Sequence, residues 1–210
     1  MPTLTPEWDG YVGAGTGPWA TLMTATSGKT FNYNDEYAAG AIKVTANSDN
    51  TLHQKFEVFL EFSTANTTVE SATLKIYLQN VTSGMQIRGV RGTWSNNTDN
   101  NYNDFAINDD YFTATTVTNG WNTITLNSDA ITQLSSLGSL KIFLVEEFVH
   151  ESAGDSNSQP SANYEKSADF YFSEHDELGP YIDYVIGTPS SGKIIIPEGF
   201  IQINSGRIIL

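Results

Sequence analysis

A polar stretch near the middle of the chain has side-chain oxygens at alternate positions, which is the chemistry of a cation-binding loop. Asp99, Asn101 and Asn103 alternate, and Asp110 stands where a twelve-residue calcium loop would end. Asp104, however, occupies the position at which such a loop needs glycine for its turn. The pattern therefore favours a plain solvated loop. The alternative is a calcium site whose ligands would be the three alternating residues and Asp110.

The same stretch offers a second chemistry, because aromatic rings beside side-chain amides are typical of small-ligand sites. Tyr102 and Tyr111 supply rings, and Asn101 and Asn103 supply amides. Loops at the end of a rigid scaffold often carry binding residues. We predict these four residues as the ligand-binding set, and a structural calcium ion as the single candidate cofactor.

Tryptophan is the other residue type that could bind a sugar, since its large ring offers a flat apolar face. The chain has four: Trp8, Trp19, Trp94 and Trp121. Each could equally fill a hydrophobic core. Two interpretations stay open: all four rings have a structural role, or at least one of them belongs to an exposed aromatic surface that binds a ligand.

Acidic and histidine side chains cluster near the end of one predicted strand. Alternation along that strand would put Glu147 and Glu151 on one side, and Glu146 and His150 on the other. A hydrolase with paired carboxylates needs two acids that face each other across a cleft, and no partner is evident in the sequence. We expect an exposed strand edge or loop rim here.

His175, Asp176 and Glu177 are the second such cluster, and they suggest a triad or a metal site. No serine stands in a nucleophile-elbow motif, and no HExxH pair and no cysteine occur in the chain. A polar turn before Gly179 and Pro180 is the favoured interpretation. We therefore predict a protein that is not an enzyme, with no catalytic residues.

Composition excludes several classes of partner. The 210 residues carry a net charge of −14, which repels nucleic-acid phosphates and anionic membrane surfaces. Without cysteine there are no disulfides. We see no cationic start followed by an apolar run, and the apolar runs are far too short to cross a membrane. We expect a cytosolic protein, a mature fragment or a particle component, with no nucleic-acid partner and no membrane insertion.

Strand patterns dominate the chain. Within residues 54–62, Phe56, Val58, Leu60 and Phe62 fall on one face, and Lys55, Glu57 and Glu61 on the other, so one face should be buried and one wet. Residues 1–40 predict short strands broken by turns, residues 95–110 a loop, and residues 128–138 a helix capped by Ser128 or Asp129. Further strands are predicted at 72–78, 86–90, 120–126, 140–149, 168–172 and 181–186.

The predicted fold class is an all-β jelly-roll sandwich with at most one short helix, spanning residues 1–187. Composition then shifts, and residues 188–210 predict a linker and three very short strands. So small a sheet cannot bury its own apolar residues, so we predict an extension for docking or oligomerisation. Its assembly residues are Ile194, Ile195, Ile196, Phe200, Ile201, Ile203, Ile208, Ile209 and Leu210.

An ordered set of short motifs supports this fold. They are Asp9-Gly10-Tyr11-Val12 with Trp19, Phe62-Ser63, Ser71-Ala72-Thr73-Leu74-Lys75-Ile76-Tyr77, Trp94-Ser95, Gly120-Trp121, Phe172-Ser173-Glu174, and Pro180-Tyr181-Ile182-Asp183-Tyr184. In this order they resemble the DNRLRE-like jelly-roll surface domains, which are related in architecture to family-six carbohydrate-binding modules. The resemblance covers roughly residues 8–186 and places two or more tryptophans in the core.

What the resemblance implies is a surface module of the kind found in bacterial surface proteins and in structural proteins of tailed phages. The first functional hypothesis is a non-enzymatic virion structural protein, as a head decoration, head fibre, tail fibre or baseplate component. Its partners would be other virion proteins or further copies of itself, on the virion surface, and it could contact host glycans. The alternative is an extracellular carbohydrate-binding module on a bacterial cell surface.

Overall fold

The structure is a computed structural model that describes residues 1–25, 28, 30–32, 35–65, 67–95, 105–136, 139–152 and 158–187. Twelve strands and three short helices occur in this part of the chain. In chain order they are β1 Thr3–Leu4, β2 Pro6–Gly17, α1 Trp19–Met23, β3 Thr30–Asn32, β4 Tyr37–Ala46, β5 His53–Ser63, β6 Val69–Gln79, β7 Gln86–Gly92, β8 Phe105–Thr116, β9 Gly120–Thr125, α2 Ser128–Ser135, β10 Ser139–Glu146, α3 Glu147–Ser152, β11 Glu165–Tyr171 and β12 Tyr181–Ile186.

The strands form one curled antiparallel sheet, which confirms the all-β prediction. The main path runs β1-β12-β6-β11-β4-β5-β10-β7-β8, with β9 on β6, β2 on β5 and β3 on β2. β11 turns the corner, because it pairs with β4 along most of its length and with the end of β6 at Phe170. The sheet thus folds over on itself like half a barrel, while a jelly-roll order of strands stays a prediction.

The larger hydrophobic core lies inside this fold. Val58, Leu60 and Phe62 of β5 face it, as their alternation predicted, together with Leu74 and Ile76 of β6. Alternating apolar side chains on facing strands are what bury the inner surface of such a sheet. The predicted inward face of β5 is therefore confirmed for these three residues, whereas Phe56 is half-buried and belongs to neither core.

The sequence predicts that the opposite face of β5 is exposed to solvent, and this prediction is wrong for Lys55 and Glu57. Both side chains are 0 % exposed, and they lie on the same face as Phe59. A second core covers this face, with Trp19 from α1 and Phe31 from β3 among its members. Burial on both faces makes β5 the central strand of the molecule.

The helices and segment boundaries differ in detail from the predictions. The expected helix is present as α2, but its N-cap is Asn127, whose Oδ1 accepts from the backbone N–H groups of Asp129 and Ala130. Helices α1 and α3 exceed the single helix expected, and β10 ends at Glu146. Residues 6–17 form one long strand rather than short pieces, and β8 begins inside the predicted polar loop.

No helix in the described part of the chain is both long enough and apolar enough to cross a membrane. The extension at 188–210 lies outside the described residues, so its role in docking or oligomerisation stays a prediction.

Candidate functional site: an aromatic row beside an acidic cleft

Five aromatic side chains form a connected row on the outer face of the sheet, and we call them the aromatic row. They are Tyr181 of β12, Trp121 of β9, Tyr77 of β6, Tyr171 of β11 and Tyr37 of β4. Neighbouring ring centroids lie 5.5 Å apart for Tyr181–Trp121 and for Trp121–Tyr77, 5.4 Å for Tyr77–Tyr171 and 4.8 Å for Tyr171–Tyr37. Five strands that are distant in the chain thus place their rings in contact.

Strand alternation explains why these rings point outward. Ile76 and Leu78 of β6 and Ile124 of β9 point into the core, so Tyr77 and Trp121 must point to the other face. Trp121 pairs directly with Tyr77 across the strands. Each ring therefore stands where an outward polar residue would be expected.

Trp121 is the most exposed ring of the row and lies between Tyr77 and Tyr181. Its side chain is 41 % exposed, and the rings of Tyr77 and Tyr181 meet it at 82° and 65°. Rings at such steep angles make edge-to-face contacts and do not cover an indole face by stacking. The indole thus has a ring on each of two sides, and about two fifths of the residue's surface remains exposed to solvent.

The far end of the row is anchored by Asp169. Its carboxylate accepts hydrogen bonds from the Tyr37 hydroxyl, from Gly40 N at 2.7 Å and from Asn80 Nδ2 at 2.6 Å. The hydrogen bond to Asp169, with burial as a second cause, raises the pKa of Tyr37 to about 12. Tyr171 donates from its hydroxyl to Gln79 Oε1 at 3.2 Å. These bonds fix the orientation of the rings before any ligand arrives.

A cleft of about 500 Å³ adjoins the row, and we call it the acidic cleft. Tyr181 belongs to both, and the ring of His175 in the cleft lies 5.0 Å from that of Tyr171. The cleft walls include Ser173, His175, Asp176, Glu177, Tyr181 and Asp183. An extended ligand on the row would therefore reach the cleft.

The turn that forms one wall of the cleft is tied to β2 through Asp9. The Asp9 carboxylate accepts from Ser173 N at 2.8 Å and from Ser173 Oγ at 2.9 Å. Burial, together with the nearby charge of Glu174, raises the pKa of Asp9 to about 7 despite these two hydrogen bonds. Asp9 is thus a buried support beneath the cleft wall.

Hydrogen bonding in this turn does not resemble a nucleophile with its base. Ser173 donates to Asp9, and His175 Nδ1 accepts from the backbone N–H groups of Glu177 and Leu178 at 3.2 and 3.1 Å. The Ser173 hydroxyl is thus bonded to a carboxylate and not to the imidazole, whose Nδ1 is used by the backbone. The predicted polar turn at 175–177 matches these contacts.

The predicted ligand and metal residues are only partly described. Asp99, Asn101, Tyr102 and Asn103 lie outside the described residues. Tyr111 is 2 % exposed, so the expectation of a ring available for stacking at this position is wrong. It belongs to the larger core.

Asp110 is described, and it binds other side chains. Arg88 Nη1 lies 2.6 Å from Asp110 Oδ2, and His150 Nε2 lies 3.0 Å from Oδ1. Across the residues that the structure describes, no group of three or more acidic or histidine side chains is arranged to hold a metal ion. The calcium alternative stays a prediction, since its other ligands are not described.

The acidic cluster at residues 146–151 does not lie on one strand as predicted, because β10 ends at Glu146 and α3 begins at Glu147. The predicted two-sided alternation therefore does not apply. Glu146 is buried and accepts from Tyr164 Oη at 2.8 Å and Phe148 N at 2.9 Å, and burial raises its pKa to about 7. Glu147 binds Arg88 through both carboxylate oxygens, at 2.5 and 2.8 Å. The two acids bind separate partners and do not face each other across a cleft.

Two tryptophans are buried and two are exposed. Trp19 and Trp94 belong to the second core, whereas Trp8 is 44 % and Trp121 is 41 % exposed. Sequence reasoning identified Trp121 as a candidate and missed the four tyrosines of the row. The available signal was aromatic residues at strand positions whose neighbours alternate into the core.

Comparison of the sequence with models of known protein families found no match, and comparison with curated protein sequences found none either. The functional argument therefore depends on the geometry of the aromatic row and the acidic cleft.

Proposed function

We propose that this protein is a non-catalytic glycan-binding β-sandwich whose ligand lies along the aromatic row. The observation that carries the proposal is the partly exposed indole of Trp121, held between two rings beside a cleft. The flat side of a sugar ring presents C–H groups with partial positive charge, which the negative face of an aromatic ring attracts. The cleft adds carboxylates and hydroxyls that can accept hydrogen bonds from sugar hydroxyls.

Rigidity of the row favours binding as well. The rings come from five strands of one sheet, and Tyr37 and Tyr171 are further held by hydrogen bonds. Aromatic side chains have few rotatable bonds, so a ligand that stacks on them costs little conformational entropy. A preorganised face of this kind suits recognition of an extended, uncharged sugar surface.

The test compares two tryptophans of similar exposure. Screening on a glycan array should identify bound glycans, and Trp121→Ala should weaken that binding by about tenfold or more, because loss of a central aromatic contact commonly costs over 1 kcal/mol. Trp8→Ala is the matched control, since Trp8 is equally exposed but lies on β2, outside the row. Equal losses in the two variants, or no binding to any glycan by a folded protein, would reject the proposal.

A second candidate function is assembly on a particle surface, as a virion structural protein of a tailed phage. The resemblance in the sequence supports it, and so does one structural feature. Val185 and Ile186 end β12 with 37 % and 54 % exposure, and a polar linker over 187–192 joins them to the isoleucine-rich segment that begins at Ile194. Exposed apolar residues near a second apolar segment suit docking to another chain. The two functions are compatible in a particle protein that binds host glycans.

A variant that ends at Gly187 tests this second function. We expect it to be monomeric where the full chain is oligomeric, as measured by light scattering coupled to size exclusion. A full-length variant with Ile194→Asp and Ile203→Asp keeps the chain length and should also be monomeric. An unchanged oligomer in both variants would show that the segment does not drive assembly.

A further inference from the structure

An open groove lies between two strands that end the sheet, and we call it the edge groove. It holds about 420 Å³ between β8 and β9. Among the described residues, β8 pairs only with β7, and β9 pairs only with β6. The other edge of each strand therefore presents backbone N–H and C=O groups that have no strand partner there. Such an edge is a template for one more strand.

The edge groove carries no charged side chain. Threonines from both strands form its rims, and three residues of the larger core, Phe112, Ile124 and Leu126, reach it from inside. Proteins usually protect a bare strand edge with lysine, other charges or proline. β9 has none of these, and the Asp109 and Asp110 carboxylates of β8 do not line the groove. The groove therefore suits an uncharged strand that has one apolar face.

The isoleucine-rich segment after the linker contains such a sequence. Its longest run without a charged residue spans 199–206. Within this run, Ile201 and Ile203 alternate with Gln202 and Asn204. A strand would thus turn both isoleucines to one face and both amides to the other. The isoleucines match the core side chains that the groove exposes, and the amides match the solvent side.

Helix α2 separates the edge groove from the end of β12 in the same chain. Beside the groove, the backbone N–H of its N-cap Asn127 donates to Tyr111 O at 2.9 Å. At its other end, Ser135 Oγ accepts from the backbone N–H of Val69 at 3.0 Å, and Val69 pairs with Ile186 at the end of β12. The segment of the same chain would have to cross α2 to reach the groove, whereas a second copy approaches it from solvent.

We propose that the edge groove binds residues 199–206 of a second copy of this chain, as a strand added to the free edge of β9. This inference rests on the proposed assembly function and names its receiving surface. Ile201 and Ile203 would lie against Phe112 and Ile124, and the backbone of the added strand would pair with β9. Two copies that exchange segments in this way form a closed pair with two-fold symmetry.

The first experiment maps the contact in the full-length protein with the photo-reactive amino acid benzoylphenylalanine. In place of Thr125, which is exposed on the groove rim, it should cross-link to a peptide within 199–206 and give a species of twice the chain mass. In place of Thr21, which is exposed on α1, it should give no such product. Mixing isotope-labelled with unlabelled chains before irradiation shows by mass spectrometry whether the linked peptides come from two copies.

The second experiment places charges on the rim of the edge groove. Thr113→Lys with Thr125→Lys should raise the concentration needed for half-assembly by at least about tenfold, because lysines on a strand edge oppose the addition of a strand. Thr21→Lys with Gln159→Lys adds the same charge at exposed positions outside the groove and should assemble like the wild type. Light scattering measures assembly, and circular dichroism confirms that both variants are folded.

The outcomes separate this inference from the assembly function. If Ile194→Asp with Ile203→Asp gives a monomer while the folded rim variant assembles like the wild type, the groove is the wrong surface and the assembly function stands. A cross-link from position 125 within a single chain, to a peptide outside 199–206, or to nothing also overturns the inference. If the full-length protein is monomeric at every concentration, the inference and assembly between copies fail together.

Discussion

Lys55 and Glu57 form an ion pair inside the protein, with Lys55 Nζ 2.8 Å from Glu57 Oε1 and both side chains fully buried. Burial lowers the pKa of Lys55 and raises that of Glu57, since each charged form has lost its water. Glu57 Oε2 accepts no hydrogen bond in the structure. The pair is thus kept together by the attraction between the two charges.

Removing one charge of this pair should lower the free energy of unfolding more than replacing both residues by apolar ones. Glu57→Gln leaves the ammonium buried without its carboxylate, and we expect a loss of about 3–5 kcal/mol in the free energy of unfolding. The double variant Lys55→Met with Glu57→Leu keeps the volume roughly constant and removes both charges, so its loss should be clearly smaller. Urea unfolding monitored by tryptophan fluorescence measures both, and an equal or larger loss in the double variant would contradict this account.

At the scale of elements, Asp9 links strand β2 to the turn that forms the cleft wall. Its carboxylate is buried and accepts two hydrogen bonds from Ser173. An asparagine could accept from Ser173 N with its carbonyl and donate to Ser173 Oγ with its amide. Asp9→Asn therefore keeps the link and removes only the titration.

Burial of the Asp9 carboxyl group should make stability depend on pH. The pKa of Asp9 is raised from 3.8 to about 7 on folding, so the folded state binds the proton more tightly. Its contribution is fully present below about pH 4 and is lost as pH rises to about 7. The wild type should therefore lose stability relative to Asp9→Asn across this window, by a few kcal/mol. Unfolding free energies at several pH values measure the difference, and a difference that stays constant with pH would contradict the raised pKa of Asp9.

Glu146 titrates in the same pH range as Asp9, so its effect on stability must be separated from that of Asp9. Its pKa is also raised to about 7 by burial, but it belongs to the contacts between β10, α3 and Tyr164. Because it is present in both proteins, its titration cancels from the difference between them. Whatever pH dependence remains therefore belongs to Asp9.

At the scale of the whole molecule, two cores share the central strand β5. The larger core fills the curled sheet, and the second core covers the outer face of β5 with residues from α1, β7 and β10. Among the described residues, which end at Gly187, both cores are continuous and well filled. We therefore expect the sandwich to fold without an apolar side chain from the C-terminal segment.

The variant that ends at Gly187 should for this reason stay folded. We expect its thermal unfolding midpoint to lie close to that of the full chain at equal protein concentration, with glycan binding retained. Circular dichroism and the array measure both properties. A large drop in the midpoint would mean that the segment packs on the sandwich and contributes to its stability.

Much of the fold could be predicted from local patterns. Most inward residues of β5 and β6 follow from alternation, and α2 follows from apolar spacing with polar residues before it. The start of β8 could not, because its polar Asn and Asp residues favour a loop until tertiary pairing overrides that preference. The start of α3 could not either, because the apolar run of β10 continues into it without a break in pattern. Trp121 was identifiable as a candidate by residue type alone.

By itself, the sequence determined the all-β class, the absence of disulfides, the large negative charge and the core-facing side of the main strands. Only the tertiary structure decided that Lys55 and Glu57 are buried and that five aromatic rings from Tyr37 to Tyr181 form one row beside an acidic cleft. Alternation is local and marks two faces of each strand. Which face is covered, and which rings meet, depends on pairing between distant segments.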